Sequence, residues 1–155
     1  PLAAVQNRYS MMARAYESLF PVLEELGIGF VAFSPLANGL LTGVYDKSST
    51  FEAGDMRARM PQFSAAAMEE NCQLLALLQN IAEEKETTCG QIALAWMLCK
   101  KPYIVPIPGT RKRTRLVENV GATDIVLSRE EVSVIDAKLA EIPMSEVFGI
   151  MRSKK

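Results

Sequence analysis

The chain has no histidine in its 155 residues, and that absence removes whole classes of chemistry. Without imidazole, neither a Ser–His nor a Cys–His nucleophilic pair can be assembled, and the common zinc sites lose a main ligand. Cysteine is scarce too. Cys72, Cys89 and Cys99 are odd in number and stand at no metal-ligand spacing, which reads as reduced structural thiols in a cytoplasmic setting. There is no run of 18 apolar residues and no signal-peptide pattern. An excess of charge of one sign is also missing: 17 Lys and Arg face 18 Asp and Glu, for a net charge of -1. Whole-surface binding of nucleic acid or membrane is therefore not expected, and an anionic partner must be met locally.

The residues that are present have the balance of one soluble globular domain, 49% hydrophobic and 23% charged. Such a length buries roughly 70% of the unfolded chain's surface if it folds alone. The chain opens "PLAAVQN", directly on an apolar β-like run, whereas chain ends usually remain at the surface. We expect a fragment of a longer protein.

Apolar runs at 2–6, 28–33 and 103–108 predict three strands. Between them, helical spacing predicts a helix over 18–26, with Leu19, Val22, Leu23 and Leu26 on one face, Pro21 in its first turn and Gly27 beyond its end. A loop rich in Gly, Ser, Asp and Pro covers 34–63. A long amphipathic helix over 64–86 presents Met68, Leu75, Leu78 and Ala82 as its apolar stripe. Thr88 with Gln91 forms a capping box that opens "GQIALAWMLCKK", a more buried helix ended by Pro102. A further helix starts near Lys112, and Ser128 with Glu131 caps the last one, "REEVSVIDAKLAEI". Continuous apolar strands between helices imply a parallel sheet covered on its outer side. Three strands cannot close a barrel by themselves.

Three stretches carry candidate chemistry. In "IVPIPGTRKRTRLVENVG", four of the seven residues from Gly109 to Arg115 are basic. A strand that ends in Pro108-Gly109 and hands over to a helix offers free backbone N–H groups, and the helix dipole favours an anion there. Thr110 adds a hydroxyl, and Arg111, Lys112 and Arg115 add charge, with Arg111 and Arg115 expected on one helical face. This set suits a phosphate monoester. Glu118 and Asn119 follow one turn later, in reach of an exocyclic amine on an attached base. The plainer alternative is a solvated basic face.

In "FVAFSPLANGLLTGVYD", a strand gives way to Ser34, Pro35 and Leu36 and then to Gly39 and Gly43. Phe33 could stack on a flat ring there, beneath several exposed amides, or it is simply core beside a turn. Gln6 and Asn7, at the end of the first run, could pair with a carboxamide or make an ordinary strand-end bond.

Together, "AAVQNRYS", "GIGFVAFSPLANGLLTG" and "QIALAWMLCKKPYIVPIPGTRK" resemble the C-terminal half of an aldo/keto reductase, in the family's order and spacing and over nearly the whole chain. The resemblance implies an α/β fold: the last three strands and their helices of a (β/α)8 TIM barrel, with residues 1–155 as the cofactor-binding side and the N-terminal half absent. It implies NADPH (NADP) as cofactor and an aldehyde or ketone as small-molecule substrate, without a metal. Gln6 then falls where the family holds the nicotinamide carboxamide, and Phe33 where an aromatic stacks on the nicotinamide ring. Ser34, Pro35, Leu36 and Asn38 match the loop under the pyrophosphate. Gly109, Thr110, Arg111 and Arg115 match the 2′-phosphate site, and Glu118 and Asn119 the adenine contacts. Many relatives carry Lys where this chain has Val44, and Arg57 is a candidate replacement that clamps over the cofactor.

The family's catalytic Asp, Tyr, Lys and His lie on earlier strands and have no counterpart here. The chain alone is therefore expected to lack the acid that protonates the carbonyl, and to be inactive. The reading from a different class is a non-catalytic nucleotide-sensing or regulatory subunit on the same barrel, and a phosphate-binding scaffold without redox chemistry is a third. Unpaired strand edges and an uncovered apolar face predict self-association.

Overall fold

Three apolar runs become three parallel strands. β1 (Ala4–Arg8), β2 (Gly29–Phe33) and β3 (Ile104–Ile107) lie side by side in that order. The computed structural model describes residues 1–149, so the last part of the tail "PMSEVFGIMRSKK", 150–155, lies outside the described residues. Ala4 pairs with Gly29, Gln6 with Val31 and Arg8 with Phe33, while Phe33 pairs in turn with Ile107.

Side chains alternate across a strand, so the register sorts them onto two faces. Phe30, Ala32 and Ile104 share the outer face and are buried under helices. Gln6, Arg8, Val31, Phe33, Val105 and Ile107 share the inner one, where Val105 and Ile107 stay 54% and 45% exposed. β1 runs two residues past the expected end at Gln6. Its polar residues do not terminate it, because Gln6 and Arg8 point to the face that no helix covers.

α1 (Phe20–Leu26) has Pro21 in its first turn and ends on Gly27 with φ 63°. The expected apolar face is corrected: Leu19, Val22 and Leu26 are exposed, and Phe20 and Leu23 are the buried pair. Phe20 decides this, since its ring packs edge-on against Tyr9 and Phe30, at 5.6 Å each.

The single helix expected over 64–86 is two, α2 (Ala65–Glu70) and α3 (Cys72–Glu84). They divide at Asn71, whose buried amide donates to Ser145 Oγ at 2.8 Å and accepts from Ser145 N at 3.0 Å. That pair ties the chain after Pro143 to the helical layer. Leu74, Leu77 and Leu78 carry the buried stripe, with Leu75 only half-buried.

α4 (Cys89–Lys100) opens on the Thr88–Gln91 capping box and buries every residue from Ile92 to Met97. Apolar all round, it has no solvent face and packs against α3, β3 and the helices that follow. α5 (Arg113–Gly121) follows β3, and α6 (Arg129–Glu141) opens on the Ser128–Glu131 capping box. No helix of the described residues is long and apolar enough to cross a membrane.

A polar network locks this outer layer. Tyr9 is stacked on Trp96 at 5.5 Å and donates to Glu17 Oε1 at 2.7 Å. Asp136 of α6 accepts from Trp96 Nε1 at 3.0 Å and from Lys100 Nζ at 2.9 Å, and Lys100 also meets Glu17 at 2.7 Å. Burial would raise the Glu17 carboxyl, but hydrogen bonds from Arg14, Lys100 and Tyr9 outweigh it and hold it below the ordinary range. Burial, then the bond to Glu17, pushes the Tyr9 phenol well up. Replacing Asp136 with Ala strands the indole N–H and one side of a nearly buried ammonium. We expect Asp136→Ala to lower the urea unfolding free energy by about 1–3 kcal/mol, the range for a buried donor left unmet. Unchanged stability would show that the network is dispensable.

Candidate functional site

Parallel strands release the segments that follow them at one edge, where α/β folds bind ligands. Here the rung Arg8–Phe33–Ile107 marks that edge. Gln6 sits one inward-facing residue behind it on the same face. Two segments rise beyond it, the loop after β2 and the turn from β3 into α5.

The loop after β2 is strained. Ser34, Ala37 and Asn38 have φ of 55°, 48° and 61°, three left-handed non-glycine residues within five. Such backbone persists only where its surroundings over-determine it, and it concentrates at functional sites. The surroundings are identifiable. Ala37 N donates to Ser34 O at 3.0 Å, Gly39 N to Leu36 O at 2.9 Å and Leu41 N to Leu36 O at 3.2 Å. Gln62, fully buried, donates to Asn38 Oδ1 at 3.2 Å and accepts from Phe148 N at 2.9 Å. Pro35 is buried and Leu36 packs half-buried against the core. Ser34 Oγ lies 3.4 Å from Asn38 Oδ1. The amides of Ala37, Gly39 and Leu41 are spent inside the loop, so fewer donors stand open than expected from the sequence.

On the β3 side, Gly109 is exposed, and a Cβ built on it would meet nothing within 4 Å. Thr110 Oγ1 accepts from Lys112 N at 3.1 Å. The N-terminus of α5 has no side-chain cap and no acid in its first turn. Arg111 and Lys112 are exposed, with no ion pair among the described residues. Lys112 is the N-cap, so Arg111 precedes the helix, and the expectation that it shares a helical face with Arg115 is corrected. Arg115, half-buried, donates to Glu118 Oε2 at 3.2 Å, and Glu118 Oε1 accepts from Thr88 Oγ1 at 3.0 Å. Asn119 lies half-buried beside Glu118.

Arg57 is placed differently. Its guanidinium donates to Asp55 and to the Tyr45 hydroxyl, and it sits 5.0 Å over the rings of Tyr45 and Phe51. Its charge is taken up by its own loop. Two residues of the edge were missed from the sequence. Gln62 has no local signal, because its partners lie 24 and 86 residues away. Arg8 did have one: two residues after Gln6 on a strand, it had to share its face.

Among the described residues no group of His, Cys, Asp and Glu could hold a metal ion. A cleft of about 300 Å³ lined by Met11, Met12, Leu139, Ile142 and Met144 includes none of the residues singled out from the sequence. Its polar walls, Arg14, Ser145 and Glu146, include groups already used within the fold, Arg14 by Glu17 and Ser145 by Asn71, so the strained loop and the basic turn make the better site.

The chain is similar to known proteins over nearly its whole length. The model for the aldo/keto reductase family matches residues 1–140. Aldo-keto reductase str7 of Strobilurus tenacellus is 43% identical over 153 residues, covering 96% of this chain and 45% of the relative. Aldo-keto reductase yakc [NADP(+)] of Schizosaccharomyces pombe is 34% identical, covering 87% of this chain and 41% of the relative. The chain thus spans less than half the length of these relatives. A glycerol dehydrogenase of Gluconobacter oxydans superposes with a TM-score of 0.82 at 24% identity, over 99% of this chain and 47% of that one. That likeness shows the fold: three strands and their helices form part of a (β/α)8 barrel.

The Arg57 contact has a measurable signature. Bonds from Arg57 draw the Asp55 carboxyl down from 3.8 to about 2. The folded value is depressed, so the contribution is complete above the ordinary value and lost as pH falls through the folded one. We expect the Asp55 carboxyl resonance to titrate near pH 2 and an Arg57→Gln variant to return it toward 3.8. An unshifted wild-type titration would mean that Arg57 is free.

Proposed function

Because the chain belongs to the aldo/keto reductase family, we propose that it is the cofactor-binding, C-terminal half of an NADPH-dependent reductase of aldehydes or ketones. One observation carries this reading: the uncapped N-terminus of α5, with Arg111, Lys112 and Arg115 around it, opens at the same sheet edge as Gln6 and Phe33. Helix N-H groups and guanidinium forks favour a dianionic phosphate. The open space at Gly109 lets such a group approach the backbone. The NADP(+) in the name of the fission-yeast relative agrees in kind.

In this reading Gly109, Thr110, Arg111 and Arg115 hold the 2′-phosphate, and Glu118 and Asn119 meet the adenine. Ser34, Pro35, Leu36 and Asn38 pass under the diphosphate. Gln6 pairs with the nicotinamide carboxamide while Phe33 stacks on its ring. Arg57 reaches the diphosphate only by exchanging Asp55 for it. NADPH supplies a hydride when bound, and these residues fix where the ring lies and exclude water from one side of it. None of them can protonate a carbonyl oxygen, so the 155-residue chain is inactive alone.

The charge arrangement accounts for selectivity. Arg115 already shares one nitrogen with Glu118, which fixes the fork before a ligand arrives. Arg111 has no such partner among the described residues and gains most from a phosphate. In the full-length protein we expect Arg111→Ala and Arg115→Ala each to weaken NADPH binding by roughly tenfold to a hundredfold, as loss of a charged hydrogen bond implies. NADH binding should move less than threefold. Equal losses for both dinucleotides would remove the 2′-phosphate from this site.

The uncovered surfaces support self-association of the 155-residue chain. Val105 and Ile107 on the inner face, Leu19 just before α1 with Val22 and Leu26 on it, and Leu116, Val117 and Val120 on α5 are all exposed. We expect concentration-dependent dimers or larger species in analytical ultracentrifugation. A strictly monomeric chain would contradict this.

A further inference from the structure

Arg8 is the one inward-facing charge on the sheet that the assignment above leaves without work. It ends β1 on the face of Gln6, and its guanidinium lies 4.9 Å over the Phe33 ring. Its Nε and NH1 atoms are buried, and neither has a hydrogen-bond partner among the described residues. The tail comes close on the other side: a Cβ on Gly149 would lie 3.1 Å from NH2. Burial lowers the Arg8 pKa, yet a guanidinium stays charged in proteins. Arg8 as a whole is half-buried, but buried N–H groups left unmet cost folding free energy, and native proteins tolerate them where function uses them. Carboxylates match the guanidinium fork in charge and geometry.

The order of the strands says which molecule brings that anion. The basic turn follows β3, the strained loop follows β2, and Arg8 lies on β1, at the far side of the sheet. A dinucleotide held by its 2′-phosphate after β3 and its diphosphate after β2 presents its nicotinamide end to β1. Both of its phosphate groups are then accounted for elsewhere, and the substrate's reacting carbon must lie beside that ring. Resting on the proposed cofactor site, we propose that Arg8 recognises a carboxylate, or a similar anionic oxygen group, carried by the carbonyl substrate. The intact reductase then favours oxo-acids and aldehydo-acids over neutral carbonyl compounds of the same size. The contact with Phe33 holds the guanidinium in place and leaves its N–H groups unpaired, and a carboxylate reaches them once the tail that covers them at Gly149 moves aside.

The test uses the full-length protein with Arg8→Met and Arg8→Lys, and circular dichroism checks that each variant is folded. Three quantities are read: the kcat/KM ratio of 4-carboxybenzaldehyde to benzaldehyde, the Kd of benzoate for the NADP-saturated protein by calorimetry, and the Kd of NADPH by fluorescence. For Arg8→Met we expect the ratio and the benzoate affinity each to fall by roughly tenfold to a hundredfold, as loss of a charge-assisted pair implies. Arg8→Lys should keep part of both, and NADPH affinity should move less than threefold in either variant. An unchanged ratio, or benzoate binding indifferent to Arg8, overturns the proposal. So does NADPH affinity that falls with the charge, because Arg8 would then serve the diphosphate. An acidic side chain from elsewhere in the full-length protein seated on Arg8 overturns it as well. Failure of the wild-type protein to bind NADPH sinks the cofactor site and this inference together, whereas bound NADPH with Arg8-independent benzoate sinks this inference alone.

Discussion

Burial of α4 is the interaction on which the rest depends. Its residues from Ile92 to Met97 have no solvent face, and they press against the sheet on one side and the other helices on the other. A helix of that kind has no stable existence in water, so it enforces the outer layer around it. Trp96 at its centre receives the stacked ring of Tyr9, and its N–H reaches Asp136 on α6. The chain segment after β1, α4 and α6 are thereby fixed to one another. The same helix contacts the turn after β2 and the later part of α5 around Glu118 and Gly121, so the loop after β2 and the helix behind the basic turn inherit a rigid base.

That base explains why strain can be kept nearby. Left-handed Ser34, Ala37 and Asn38 would relax in a free peptide, and each such residue costs on the order of 1–3 kcal/mol. Here Ala37 is sealed in the core, Leu40 and Leu41 follow it there, and Gln62 clamps Asn38 from the side. The loop's shape is set before any ligand arrives, which lowers the ordering cost of binding. The basic turn after β3 is built the opposite way. Most of its side chains stand in water, and only Arg115 is fixed, through Glu118 and Thr88. One half of the edge is preorganised by packing and the other waits for charge.

Local patterns were legible in the sequence, and distant partners were not. The capping boxes at Thr88–Gln91 and Ser128–Glu131 involve residues three apart, and both form as read. The strands and their parallel order followed from apolar runs between helices. The division at Asn71 could not be read, because its cause is Ser145, 74 residues on. The face of α1 was misjudged because Leu19, Val22 and Leu26 are apolar but point away from the sheet, toward surface that this chain does not cover. At the candidate site, the types of residue on the two loops could be recognised, while their commitments could not: Arg57 to Asp55, Glu118 to Thr88 and Arg115, Asn38 to Gln62. Arg8 lies past the apolar run that stops at Gln6, and a strand with one open face continues through polar residues.

The central claim is that the basic turn after β3 exists to hold a phosphate on the adenosine ribose. A crystal structure of the full-length protein with NADPH tests it most directly. The account predicts the 2′-phosphate at the N-terminus of α5, within hydrogen-bond distance of Arg111 and Arg115, and the nicotinamide ring over Phe33. A dinucleotide bound elsewhere, with those two guanidinium groups left in solvent, would contradict it.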